Sequence, residues 1–285
     1  MYRMGRQIVV FLFMITRVFS AWAQNFSIEQ ANISALLSAI AYCVKKEYVN
    51  HAFHGPLTGF LVNDVIYDTK SDLQGFIGTL PSTQDIYIVF RGSSSVRNWI
   101  EDLDIQMTDY YTFPYCNCKV HTGFYESMLR VFPQIYETIM NMRLEHGQII
   151  VTGHSYGAAV AQLTAMQLSA FYIPSSVYNF GQPRIGDTFY ARLVNSQIKT
   201  MWRIVHDRDI VPHLPPTRGF DYVHSCGEIF EDAYGVLYSC SDVDCEDKYC
   251  SHRYKLRETT VKDHEVYLGH KMECTAESQM PTFQY

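Results

Sequence analysis

An α/β fold with an at least partly parallel sheet is what this sequence predicts, on three observations. Strand-like and helix-like segments alternate through the middle of the chain, the order expected when helices carry the crossovers between neighbouring strands. Two strand-like runs, IYIVF at 86–90 and IIVT at 149–152, are almost continuously apolar, as strands buried on both faces are. The chain has 285 residues, 47% of them hydrophobic, which is enough to bury a core of that kind.

The elements follow in order. Arg3 and Arg6 head an apolar run, IVVFLFMI at 8–15, and Ala21-Trp22-Ala23 is a small-x-small cleavage site, so residues 1–23 read as a secretory signal peptide. Arg17 leaves the apolar run short of the ~20 residues that span a bilayer, so no stable membrane span is expected. Residues 24–285 contain no internal repeat, low-complexity tract or Pro/Gly linker and are read as one domain. Ser27-x-x-Gln30 has the form of a capping box opening a helix over 28–42. Strands are expected over 59–67, 73–79 and 85–90. A helix over 123–145 follows, with Pro133 as a kink. Then come strand 148–152, helix 156–171, strand 176–180, helix 187–196 and strand 200–206.

Composition excludes several function classes. Lys and Arg total 23 against 29 Asp and Glu, a formal charge of −6, and loss of Arg3, Arg6 and Arg17 with the leader takes it to −9. With no basic run, nucleic acid is not an expected partner. The eight cysteines all lie beyond the leader, and an even count in an exported chain points to disulfides. The spacings Cys116-x-Cys118 and Cys245-x4-Cys250 are not the paired spacing of a four-cysteine zinc site, so no metal is expected. Of two glycosylation sequons, at Asn25 and Asn32, Asn32 is the better acceptor, because Asn25 sits almost at the processed terminus.

The sharpest motif is Gly153-His154-Ser155-Tyr156-Gly157, between an expected strand and an expected helix. A strand-turn-helix of this kind lifts a serine hydroxyl above the sheet at a helix N-terminus, where developing negative charge is favoured. Glycines at the outer positions remove side chains that would strike neighbouring backbone. Such a serine needs a base, and the base needs an orienting carboxylate, in the chain order Ser, Asp/Glu, His. Asp207 and Asp209 both lie in the acidic loop after strand 200–206, and Asp209 directly precedes the apolar Ile-Val-Pro. Among the histidines beyond them, which include His224, His252 and His270, His264 lies in Lys262-Asp-His264-Glu-Val-Tyr267, read as a polar loop entering a helix. Acyl transfer also needs oxyanion donors. The Tyr156 N–H follows the nucleophile, and the Ser93 N–H lies in Arg91-Gly92-Ser93 after IYIVF.

Six ordered segments resemble the class 3 lipases, the filamentous-fungal type. They are FRGSSSVRNWIEDL at 90–103, KVHTGFYES at 119–127, IIVTGHSYGAAVAQL at 149–163, YNFGQPRIGD at 178–187, RIVHDRDIVPHLPP at 203–216 and DHEVYLG at 263–269. The resemblance implies an α/β-hydrolase fold, with a mostly parallel central sheet, helices on both faces and a short helical lid, and no cofactor or metal. It implies Ser155 as nucleophile, Asp209 as acid, His264 as base, and Ser93 with Tyr156 as the oxyanion hole. His154 and Asp207 are then outside the triad. It also implies that Cys43 and Cys274 tie the two ends of the domain together. Cys240–Cys250 is the next pair, in the loop before His264, Cys226–Cys245 follows by elimination, and Cys116–Cys118 would close a small ring. Tyr156 stands where the family usually has Leu, Ala158 where it often has Gly, and the Cys-rich 225–255 does not match well.

The implied partner is a lipid ester at a lipid–water interface, triacylglycerol first, with phospholipase A1 and feruloyl-type esterase as rival activities. A catalytically silent lipid-binding protein is the reading from another class. Val96, Trp99, Ile100 and Leu103 fall on one face of a short helix. The resemblance makes that helix a lid over Ser155. No feature of the sequence specifies an oligomeric state.

Overall fold

A computed structural model describes residues 26–50, 52–53, 57–142, 147–243 and 245–274. The expected leader at 1–23 and Asn25 lie outside these residues.

The main sheet has eight strands in the order β1-β2-β3-β6-β7-β8-β9-β10. They are β1 Leu61–Asp68, β2 Leu73–Leu80, β3 Asp85–Phe90, β6 Ile149–His154, β7 Ser176–Phe180, β8 Met201–His206, β9 Glu228–Glu231 and β10 Leu237–Ser239. From β3 through β9 every neighbouring pair is parallel, while β1-β2-β3 and β9-β10 pair antiparallel. Two smaller hairpins pair β4 Met107–Asp109 with β5 Lys119–His121, and β11 Val266–Tyr267 with β12 His270–Lys271.

Alternation along β3 shows how the sheet is covered. Ile86, Ile88 and Phe90 point to the core shared with α3 (Thr122–Asn141), α4 (Tyr156–Ala170) and α5 (Thr188–Gln197). Tyr87 and Val89 point to the opposite core, closed by α1 (Ile28–Ile40). The Ser27 side chain accepts from the Gln30 N–H and so caps α1. Nearly every residue of α4 is buried, which its run of small side chains permits.

Four differences from the sequence reading matter. The helix expected to 145 ends at Asn141 and keeps Pro133 inside it. The stretch after His264 is the β11–β12 hairpin rather than a helix, and Cys274 follows that hairpin. The Cys-rich 225–255 contributes β9 and β10 to the main sheet. The helix expected to be a lid, α2, Val96–Glu101, stops before Leu103, with the Ser95 side chain capping it from the N-terminal end.

Four disulfides join Cys43 to Cys274, Cys116 to Cys118, Cys226 to Cys245 and Cys240 to Cys250. Asn32 is exposed on α1, while Ser34 of its sequon is buried.

Candidate active site

Ser155 sits between the end of β6 and the start of α4 in a backbone conformation of φ 58° and ψ −128°, unusual for a residue with a side chain. The turn is held by the Ser155 N–H donating to the Phe180 carbonyl at the end of β7, 2.9 Å away. Its tightness explains both outer glycines. A methyl added at Gly153 would lie 2.6 Å from the Gly157 carbonyl group, and one at Gly157 would lie 2.3 Å from the Arg91 carbonyl oxygen.

Asp209 and His264 meet although they are 55 positions apart in the chain. The Asp209 loop and the segment before His264 are stitched by backbone bonds from the Thr260 N–H to Arg208 (2.7 Å) and from the Ile210 N–H to Thr260 (3.2 Å). His264, on a 3-10 turn over Lys262–Glu265, then directs Nδ1 to Asp209 Oδ2 at 2.7 Å, with both side chains fully buried. A buried carboxylate is tolerated when its oxygens are matched by donors. Asp209 Oδ2 also accepts from the Tyr267 hydroxyl, and Oδ1 from the Val211 N–H at 2.8 Å. Burial, reinforced by the Asp209 charge, holds the Tyr267 hydroxyl protonated far above its usual range. Among the described residues, His264 Nε2 and Ser155 Oγ are both buried without a hydrogen-bond partner, so the base and hydroxyl atoms needed for proton transfer remain uncommitted.

The competing residues are engaged elsewhere. Asp207 accepts from the Tyr254 hydroxyl at 2.7 Å and faces Arg208 at 3.5 Å. His224 donates Nε2 to the Pro212 carbonyl, 2.8 Å, and His252 faces Glu246 at 3.3 Å. Glu246 in turn takes a two-pronged bond from Arg184, 2.7 and 2.9 Å, which ties the Cys-rich segment to the loop after β7.

Ser93 lies half-buried in the loop after β3, and the residue before it, Gly92, packs against Ser155. A methyl at Gly92 would come within 2.8 Å of Ser155 Cβ. The Tyr156 N–H opens α4 beside it. The Tyr156 side chain runs away from this point, donating to Ser127 Oγ, which also receives Arg130 Nη2 at 2.9 Å. Over this floor, Trp99 of α2 stacks on Phe124 with ring centroids 6.2 Å apart, and Phe124 meets Tyr156 edge-on at 5.4 Å. Val96, Trp99, Ile100 and Leu103 are half-buried, whereas Arg97, Asn98, Glu101 and Asp102 are exposed. Ser155 has no exposed surface.

Three contributors had no assigned role in the sequence. Tyr267 and Tyr42 carry no local signature that distinguishes them from the other tyrosines. Gly181, at φ 56°, lies so close to the acid–base pair that a methyl there would sit 2.7 Å from the His264 ring and 2.9 Å from Asp209 Oδ2. The Gly in YNFGQPRIGD was the available signal.

Among the described residues, the one metal-like grouping is Glu228 with Cys240 and Cys250, and those two sulfurs are bonded to each other. No helix among these residues is long and apolar enough to cross a membrane. A cleft of 840 Å³ opens at the opposite edge of the sheet, where β6, β7 and β8 begin, and is no part of this site.

The family described as Lipase (class 3) matches residues 87–219. A lipase from Rhizomucor miehei is 37% identical over 214 residues, covering 72% of this chain and 56% of the relative. A secreted mono- and diacylglycerol lipase from Fusarium solani is 32% identical over 169 residues, covering 59% of this chain and 50% of the relative. The chain thus spans about half the length of these curated relatives. A solved triacylglycerol lipase, whose catalytic centre is described as a serine protease triad, superposes with a TM-score of 0.77. It is 32% identical, and the match covers 86% of this chain and 95% of that one.

Proposed function

The chain belongs to the class 3 lipase family, and on that premise we propose that it is a secreted carboxylic ester hydrolase acting on lipid esters, with triacylglycerol as its substrate class. The observation that carries the reading is the buried His264–Asp209 pair, 2.7 Å apart, beside a serine in a strained strand-to-helix elbow.

His264 takes the Ser155 proton through Nε2 as Ser155 attacks the ester carbonyl. Asp209 keeps the proton on Nδ1 and stabilises the imidazolium that forms. The Tyr267 hydroxyl and the Val211 N–H share the Asp209 charge, which keeps it from reorienting. The oxyanion is held by the Ser93 and Tyr156 N–H groups; as it collapses, the ester C–O bond breaks and His264 gives its proton to the departing alcohol, and water activated by the neutral His264 then releases the acid from the acyl-enzyme. Helix α2 covers Ser155 in water through Val96, Trp99 and Ile100, with Leu103 just beyond it, and moves aside at a lipid surface. Residues 1–23 direct export, the four disulfides suit an oxidising compartment, and exposed Asn32 is the glycan acceptor.

Ser155→Ala tests the nucleophile. The variant is expected to fold, to lose ester hydrolysis and to resist labelling by a fluorophosphonate. An active variant would refute the assignment, and an unlabelled wild-type Ser155 would revive the silent lipid-binding alternative. A panel of emulsified triacylglycerol, phospholipid, a soluble short ester and a feruloyl ester tests the substrate class, with the highest kcat/KM expected on triacylglycerol.

A further inference from the structure

We infer that Arg91 is a positioning residue for the oxyanion hole: its guanidinium orients the Gly92–Ser93 peptide so that the Ser93 N–H is turned toward the Ser155 side. The inference rests on the roles proposed above for Ser93 and Ser155.

Arg91 directly follows the strand β3 yet is only 7% exposed. A buried guanidinium is tolerated only when its donors are matched, and these are. Nε meets Gln74 Oε1 at 3.3 Å, Nη1 meets the Gly92 carbonyl at 2.9 Å, and Nη2 meets the carbonyl and carboxylate of Asp72 at 2.9 and 2.8 Å. Gln74 in turn donates to the Val44 and Ala41 carbonyls after α1. The guanidinium is therefore tied to the β1–β2 turn and to the end of α1 while it grips one carbonyl of the oxyanion loop.

That carbonyl and the Ser93 N–H belong to the same peptide unit. In a trans peptide the two point in opposite directions, so holding the oxygen toward Arg91 turns the N–H away from it. The preceding N–H, that of Gly92, is fixed separately by the Tyr42 hydroxyl at 3.0 Å. The loop is thus held on both sides of Gly92, the residue that abuts Ser155. The Ser93 N–H donates to no acceptor among the described residues, which leaves it for substrate. A charge-assisted bond to the carbonyl also polarises the peptide and strengthens its N–H as a donor. Lysine keeps the charge but lacks the planar fork that serves Gly92, Asp72 and Gln74 together.

The test compares Arg91→Lys and Arg91→Met with wild type in the full chain, on a soluble ester and on its thionoester, where sulfur replaces the oxygen that the hole receives. Active sites are counted by fluorophosphonate labelling taken to completion, so unfolded protein does not enter kcat. The expected result is a fall in kcat on the ester of about tenfold to a hundredfold with little change in KM. The preference for ester over thionoester falls with it. If Arg91→Met does not fold, Arg91→Lys carries the test. Wild-type kcat, or equal losses on both substrates that leave the preference unchanged, overturns the inference. A wild-type protein without esterase activity, or an active Ser155→Ala, defeats the site reading itself, so the two failures are distinguishable.

Discussion

His154 donates from Nε2 to the backbone carbonyl of His264, 2.9 Å away, and their rings lie 4.3 Å apart. A carbonyl only accepts, so Nε2 carries the proton and Nδ1 is left to accept from the Tyr42 hydroxyl at 2.7 Å. The residue before Ser155 thus braces the backbone of His264. His206 does the same one residue earlier, donating Nδ1 to the Asp263 carbonyl at 2.8 Å.

His154→Ala should therefore loosen the base without removing it. It leaves the buried His264 carbonyl unpaired and the Tyr42 hydroxyl, which still accepts from the Gly92 N–H, without an acceptor for its proton, each a cost of about 1–3 kcal/mol. A lower urea midpoint is expected, together with a kcat reduced about tenfold and a KM near wild type, since the ester itself is not touched. Unchanged kcat in a destabilised variant would reduce His154 to a packing role.

Stability should fall between pH 6.5 and 5. Burial lowers His121 and His213 to about 4, and holds His154 and His224 well below 6.5. In each case the unfolded chain binds the proton more tightly, so the contribution is complete above 6.5 and is lost as pH drops toward the folded value. Each histidine is expected to cost at most about 2 kcal/mol by pH 5. The raised carboxyls of Asp187 and Glu231 offset part of this, because they favour the folded chain in acid. Thermal melts across this range check the sign, and a melting temperature that rises toward pH 5 would contradict it.

Asp209→Asn should cut kcat severely, by roughly 10⁴ if the neutral amide leaves the imidazole in the wrong tautomer. Asp207→Asn, which weakens only the Tyr254 and Arg208 contacts, should stay within a few-fold of wild type. The reverse ranking in a pairwise kinetic comparison would move the acid to Asp207.

The α2 lid is tested by measuring rate against the concentration of a short triacylglycerol through its solubility limit. Burial of each large apolar side chain of α2 in lipid is worth at most roughly 1.5–3 kcal/mol, enough to shift a closed-to-open balance of a few kcal/mol. A jump in rate at the limit is expected, and Trp99→Ser, which loses the stack on Phe124 and the anchor in lipid, should diminish it. Smooth hyperbolas from both proteins would mean a fixed helix.

Local pattern determined much of this molecule. The strands β3 and β7 have the same limits in the sequence reading and in the structure, because each is a short run whose side chains all find apolar or paired surroundings. The elbow was legible because two glycines, a serine and a strand-to-helix change coincide within a few residues. The strand β9 was not. Its sequence, Glu-Ile-Phe-Glu, looks solvated, yet it is fully buried, because Arg203 faces Glu228 at 3.4 Å and Glu231 accepts the Leu268 N–H at 3.0 Å. Partners far along the chain neutralise its polarity, and no local window contains them.

The choice among acids and bases was likewise tertiary. Asp207 and Asp209 are two residues apart in one loop, and the backbone at Asp207, φ 36°, turns its carboxylate toward Tyr254 while Asp209 meets His264 and Tyr267. Five histidines follow those acids, His213 included, with little to separate them in isolation. What distinguishes His264 is the stitching of Thr260 to Arg208 and Ile210, which brings two distant loops together. Sequence by itself determined which residue types the chemistry had available and on which elements they stand. Tertiary packing decided which of them meet, because a buried charge persists only where the fold delivers its donors.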